Sequence, residues 1–499
     1  GNDGVWCLAD VCASTLHPIP FSECASRAAD IMNKPKRDKG IAMTGRPVGQ
    51  QEVILFYEKD GTPVTHPKNR RQMCAASDNE KWRISEQNEL DQSMKNETMT
   101  MTSMTRRESE TAGYEVISST IAYKPRSYLD DNKETVLKDR KSRICARGCD
   151  QLNSHEREIY ADTPPIYIVR IILITGTECG LRAQQADVES AFQIPILKEK
   201  IAIELPSGLE YQGCRMAILY KSMQGLRQGA KVWGEHLHTW TMGHDPRIKC
   251  SVKAGKCLYS IWTSSLKMVF ARWVDDLFGF SSDDNKTFND LLKALGKAYP
   301  LKIMGDMIRV LGMEVDYGHG WCLLRQQANI KHMMEEYMVN DLVNWDPTVP
   351  IRQEDLDKLV KHDAPQSTLP YRNLIGELMW ITHTRVDIIH AVRRLSSFAN
   401  AYDDFAYWLG LIVVKFIHCT REYGVRIVQS EAARTGSPLK APLEIYSYTD
   451  ASHASIAGNM RSVSDAVTFL HAGQSSADIL PDSEDRRYFI YRVRIGRCH

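Results

Sequence analysis

The sequence has no pair of cysteines spaced as C-x2-C, although it holds 13 cysteines in all. An odd, scattered set without that spacing excludes the common zinc modules and a disulfide framework, and it reads as reduced thiols inside a cell. Charge of one sign is also lacking. Lys and Arg total 63 against 62 Asp and Glu, a formal net charge of +1, so any nucleic-acid partner must be met by local patches rather than by the whole molecule. Long apolar runs are absent. The run LGLIVV at 409–414 is far shorter than the roughly 20 residues that span a bilayer, so no transmembrane helix and no membrane partner are expected. The first ten residues, GNDGVWCLAD, lack the basic-then-apolar pattern of a secretory leader. No G-x-G-x-x-G turn opens a dinucleotide-binding unit, and no repeat of 20–50 residues is visible.

What is present is a globular composition, with 43% apolar and 25% charged residues over 499 positions, enough for three or four lobes with their own cores. Residues 1–80 show no sustained period and read as a loosely structured N-terminal arm or extension. The polar, Thr- and Met-rich stretch 94–113 reads as a surface connection. Beyond residue 120 the signals sharpen. LKDRKSRICARG, at 137–148, alternates as a strand with one cationic face. Phe288, Leu291, Leu292 and Leu295 fall at helical spacing after two Asp that can cap a helix. Residues 403–418 form a second apolar stripe behind Asp403 or Asp404, and 371–398 reads as two packed helices. LEIYSYTDAS, at 443–452, alternates as a strand that carries Asp450. The mixed order predicts an α+β chain of several subdomains rather than a doubly wound sheet.

Within KMVFARWVDDLFGF, two acids interrupt an apolar run, which predicts a hairpin whose turn presents Asp275 and Asp276. Asp pairs are common in turns because they hydrogen-bond their own backbone. Apolar flanks change the balance: two partly desolvated carboxylates repel, and a divalent cation relieves them. Upstream, Asp187 stands at a similar boundary in QADVESAF. If the three acids met, they would form an oxygen-only cage for two Mg²⁺ ions about 3.5–4 Å apart, suited to in-line displacement at phosphorus. A solvated strand end is the plainer reading of any one of them.

The ordered set RKSRICARG, QADVESAF, KSMQGLRQGAKVW, WVDD and VLGMEV resembles the reverse transcriptase of copia-type LTR retrotransposons. YRNLIGELMWITHTRVDI resembles that family's connection segment, and YSYTDASHAS with RSVSDAVTFL resembles the start of its ribonuclease H. The resemblance implies a right-hand polymerase: fingers and palm over 81–320, thumb and connection helices over 321–440, and a partial ribonuclease H-like region over 441–499. It implies that Asp187, Asp275 and Asp276 are catalytic and bind Mg²⁺ or Mn²⁺. Phe192 would sense the sugar, and Gln228 and Gly229 would meet the incoming dNTP. Lys141, Arg143 and Arg147 would neutralise its triphosphate, Leu311, Gly312 and Met313 would grip the primer, and Lys302 would be a proton donor to pyrophosphate. Asp450 and Glu484 match two ribonuclease H acids, and the third would lie beyond His499, so the expected activity is polymerisation rather than RNA cleavage. Trp273 stands where the family has tyrosine, which alters the packing beside the acids.

The implied partners are a template-primer duplex of RNA or DNA, dNTPs and other products of the retrotransposon polyprotein. The implied location is cytoplasmic, in virus-like particles, with access to the nucleus. The alternative is a decayed or domesticated copy that binds nucleic acid or protein without polymerising.

Overall fold

A computed structural model describes residues 54–58, 62–129, 135–152, 159–251, 255–360, 362–435, 443–452, 463–472 and 488–493. The architecture is α+β, as the patterning predicts. Its centre is a six-stranded antiparallel sheet in the order Leu301–Asp306, Gln184–Val188, Asp276–Ser281, Lys267–Trp273, Leu258–Trp262, Lys249–Cys250. This sheet is covered on both faces, which explains why Lys267–Trp273 is buried almost continuously instead of alternating. On one face Val269, Ala271, Phe278 and Phe280 pack with Ile168 and Ile172 of the helix Tyr167–Glu178. On the other, Met268, Phe270 and Leu277 meet Trp233 and Leu237 of the helix Gly229–His244, and Phe288, Leu291, Leu292 and Leu295 of the helix Lys286–Ala298.

A five-stranded sheet lies upstream in the order Met99–Thr102, Met216–Lys221, Ile196–Glu204, Glu115–Leu129, Thr135–Ala146, with one parallel pairing between its third and fourth members. A four-stranded sheet contains Arg309–Val310, Met313–Gly318, Trp321–Arg325 and Val425–Val428. Between its last two strands the chain makes a helical bundle whose core draws only on residues 330–417, including Leu374, Leu378, Leu409 and Val413. Three strands, Leu443–Ser452, Val463–Ala472 and Tyr488–Val493, form a separate antiparallel sheet. Among the described residues no helix is long and apolar enough to cross a membrane.

Several local expectations are met. The helix Asp404–Cys419 is capped by Asp403, whose side chain accepts from Ala406 N at 2.8 Å, although its burial extends well beyond one stripe. The helices Tyr371–Ile381 and Ile389–Ser396 lie where two packed helices are expected. Ahead of Lys286–Ala298, Asp283 accepts from Thr287 N at 3.1 Å, while the residue at the helix boundary is Asn285.

Two expectations are corrected. The stretch 94–113 is not a mere surface connection: it holds a sheet-edge strand, Met99–Thr102, and a helix, Arg106–Thr111. Alternating Met and Thr suit a half-buried strand, and Thr105 with Glu108 makes a reciprocal capping box. The N-terminal arm is structured where it is described. Residues 54–58 and 62–80 hold two short strands and a helix, with Val64 and Met73 fully buried. Asp78 anchors this part by accepting from Arg140 Nε at 2.7 Å, an ion pair between residues too far apart in sequence for local pattern to reveal. Residues 1–53 lie outside the described residues.

Candidate active site

The hairpin turn at 273–276 is tighter than the sequence implies. Trp273 pairs directly with Asp276, so the turn is Val274–Asp275, and Asp276 is the first residue of the next strand rather than a turn residue. Val274 takes a left-handed φ of 55°, unusual for a β-branched side chain, and its carbonyl accepts a hydrogen bond from Trp233 Nε1 at 2.7 Å. That bond ties the strained turn to the helix Gly229–His244.

Register then assembles the acids. Asp276 is the cross-strand partner of Asp187, and Asp187 is the partner of Lys302 on its other side. Directly opposed residues of antiparallel strands share a face, so Asp276, Asp187 and Lys302 form a row across three strands. The backbone of Val188 donates to Asp275 O at 3.0 Å, which draws the turn onto the Asp187 strand. All three acids are half-buried, and Lys302 is exposed.

The electrostatics record the crowding. Burial pushes Asp276 up to about 6, the charges of Asp275 and Asp187 push the same way, and a hydrogen bond from Gln185 Nε2 at 3.2 Å opposes them. Asp187 is also raised, first by burial and then by Asp275 and Glu189, and it is relieved by Lys302 and Arg143. The contribution of Arg143 links the cationic strand of the five-stranded sheet to the acids. Along that strand Arg143 is exposed, Lys141 is half-buried, and Ser142, Ile144 and Ala146 point inward, as the alternation predicts, while the exposed Arg147 lies just past the strand's end. Arg147 is paired with Asp150 at 3.6 Å, at the far end of the strand.

Phe192 lies half-buried in the short helix Ala191–Gln193. A Cβ added to Gly229 would stand 3.2 Å from Met223 O, the tight neighbour, and 3.5 Å from the Phe192 Cδ1, so the ring lies at ordinary van der Waals distance beside this backbone. Gln228 is buried immediately before that glycine. Leu311 and Gly312 make a two-residue hairpin turn with φ of 51° and 77°, and Val310 pairs with Met313. Leu311 and Trp273 both pack against the core cluster that contains Met313, so the hairpin and the altered aromatic share one apolar support.

Among the described residues no three His, Cys, Asp or Glu side chains are gathered closely enough to hold a metal ion. The donor set nevertheless has the right chemistry: hard carboxylate oxygens, mutually repelling and partly desolvated. Asp450 lies on the strand Leu443–Ser452, its backbone opposite Asp465. Glu484 lies outside the described residues. Sequence reasoning missed Gln185 and Glu189. Gln185 stands two residues before Asp187, the same-face position of a strand, and that parity was the available signal.

With this geometry in hand, the central region is similar to the reverse transcriptases. Residues 114–353, which carry the cationic strand, all three acids and the 311–313 hairpin, match the family described as reverse transcriptase (RNA-dependent DNA polymerase). The match covers just under half of the chain, and the relatives that the chain resembles are transposon proteins. The chain is 25% identical over 272 residues to a retrovirus-related Pol polyprotein from transposon TNT 1-94 of Nicotiana tabacum, covering 52% of this chain and 20% of that protein. It is 26% identical over 295 residues to a Ty5-1 transposon protein of Saccharomyces cerevisiae, covering 57% of this chain and 88% of that one. A solved foamy viral protease-reverse transcriptase in complex with double-stranded DNA covers 83% of this chain and 55% of its own, at 12% identity and a TM-score of 0.41. The chain thus spans about a fifth of the tobacco polyprotein's length.

Proposed function

We propose that this chain extends a DNA primer on an RNA template, joining the primer 3′-hydroxyl to the α-phosphate of a dNTP with loss of pyrophosphate. The observation that carries the proposal is the register that makes Asp187 and Asp276 cross-strand partners with Asp275 at the adjoining turn. Asp187, Asp275 and Asp276 would hold Mg²⁺ or Mn²⁺, which when bound supplies charge neutralisation and Lewis acidity at the transferring phosphate. The other steps belong to the chain's own groups. Arg143 and Lys141 offer charge-assisted hydrogen bonds to the triphosphate, and their outward position on one strand face supports this. The Phe192 ring would collide with a 2′-hydroxyl and so favour deoxyribonucleotides. The 311–313 hairpin would hold the primer end, and Lys302, beside Asp187, would donate a proton to the departing pyrophosphate. Positioning and electrostatics then supply most of the rate.

The decisive experiment is primer extension on an RNA template with Mg²⁺, comparing wild type with Asp275→Asn. Wild type extends, and the variant, nearly unchanged in shape but one charge short, does not. A second reading, a copy that binds duplex without polymerising, is favoured by Trp273, which stands beside the acids where the resembled family has tyrosine. Duplex binding by a wild type that incorporates nothing would establish that second reading. The implied thumb and connection, the partial ribonuclease H-like region, the polyprotein partners and the cytoplasmic particle location are part of the same proposal.

A further inference from the structure

Gln228 is 4% exposed and stands just ahead of the helix Gly229–His244. Both ends of its carboxamide are engaged: Oε1 accepts from Gln151 Nε2, and Nε2 donates to Glu199 Oε1, each at 3.2 Å. Gln151 is itself anchored, because its Oε1 accepts from the backbone N–H of Arg227 at 3.0 Å. Glu199 belongs to the strand Ile196–Glu204 and falls inside the register irregularity between Ile196 and Ile201. An irregularity of this kind re-aims a side chain that the pleat would otherwise commit to one face.

A primary amide has two orientations, half a turn apart, that exchange its donor and acceptor ends. A carboxylate only accepts, so Glu199 admits the amino end of Gln228 and rejects the carbonyl end. Gln151 enforces the same choice from the opposite side, since its remaining free end is a donor. With one N–H committed to Glu199, the second Nε2 N–H is the donor that Gln228 still has to offer. It stands next to Gly229, against which the Phe192 ring lies.

We propose that Glu199 and Gln151 form a clamp that fixes the Gln228 carboxamide so that it presents a donor to a sugar oxygen of the incoming deoxynucleotide. The inference rests on the polymerase reading above and assigns to Glu199 a role that no sequence pattern announced. Glu199 acts through Gln228 and is a positioning residue.

The test uses the full chain on an RNA template with two primers, one extendable and one dideoxy-terminated. The extendable primer reports kcat and KM, and the terminated one reports equilibrium binding of the matched dNTP with Mg²⁺. Glu199→Gln keeps the shape of the side chain but lets the amide turn over. It raises dNTP Kd and KM about tenfold while kcat stays within about twofold, the mark of lost ground-state positioning. Glu199→Asp recovers part of the loss, and Gln151→Glu, which replaces the second donor by an acceptor, reproduces it even if the first variant folds poorly. Gln228→Ala has a similar effect, and the Gln228→Ala/Glu199→Gln pair has no greater one, because the two act as a unit. Wild-type dNTP affinity in Glu199→Gln and Gln151→Glu, or effects that multiply in the double variant, would overturn the clamp and leave the polymerase reading standing. Failure of the wild type to bind or incorporate any dNTP would instead defeat the polymerase reading and the clamp with it.

Discussion

Asp276 occupies the most costly place of the three acids, because it is charged, partly desolvated and opposite another carboxylate. Its pKa, pushed up to about 6, lies above the value expected in the unfolded chain, so the folded state binds a proton more readily between about pH 4 and 6. The sign follows from linkage: without metal, stability is highest at the acidic end of that window and falls as pH rises through about 6. Asp276→Asn should therefore raise the metal-free melting temperature at pH 7.5 by about 2 °C and flatten its pH dependence, as read by thermal denaturation. A lower melting temperature would contradict the crowding. Protons and Mg²⁺ compete for the same oxygens, so incorporation should decline below about pH 6 and be partly restored by more Mg²⁺. On the proposed sugar-sensing role of Phe192, Phe192→Val should increase ribonucleotide use by about tenfold or more relative to dNTP, as read by competitive incorporation. At this scale the acids were legible because charge interrupts apolar runs. The roles of Gln185 and Glu199 were not, because each depends on a partner far along the chain, Asp276 on the neighbouring strand for one and Gln228 ahead of a helix for the other.

Among the elements, the Leu311–Gly312 turn carries a visible strain. Glycine accepts φ of 77° freely, but leucine at φ of 51° does so at a cost of about 1 kcal/mol. Leu311→Asn should raise stability in urea unfolding by somewhat less than that amount, since it also gives up the packing of Leu311 on the Met313 cluster, and on the primer-grip proposal it should weaken primer-terminus binding. An unchanged midpoint would show that the turn is not under load. Gly279 makes the complementary point inside a strand, for a Cβ there would lie 2.3 Å from Phe270 Cβ. Gly279→Ala should loosen the acid-bearing hairpin by about 2 kcal/mol, measured by denaturant unfolding. Helices were readable where amphipathic period and a capping Asp coincide, as at Asp403. The strand Met99–Thr102 was not, since four residues of Thr and Met gain their identity only from pairing with 216–219, far along the chain.

Over the whole molecule, the near-zero net charge conceals a division of labour: a cationic strand on one sheet, through Arg143, acts electrostatically on an acidic row on another. Composition alone could not display that arrangement, because it emerges from how two sheets are juxtaposed. The helical bundle is joined to the central sheet's covering helix by Arg170, whose Nη2 donates to His383 O and whose pKa burial lowers to about 10. Arg170→Met retains bulk but removes that bond. Single-nucleotide incorporation should stay within about twofold while the length synthesised per binding event shortens, in a trap-limited extension assay. Equal product lengths would mean that the bond does not couple the two bodies.

The bundle leaves the four-stranded sheet after Trp321–Arg325 and comes back as that strand's immediate neighbour, Val425–Val428. Its departure and return points are therefore side by side, like the two leaves of a door hinge. Lengthening a loop at the bundle's outer end would leave the acid-bearing sheet undisturbed, whereas any tilt of the bundle would be levered through Trp321–Arg325 into the adjoining Met313–Gly318 strand and on to the Leu311–Gly312 tip.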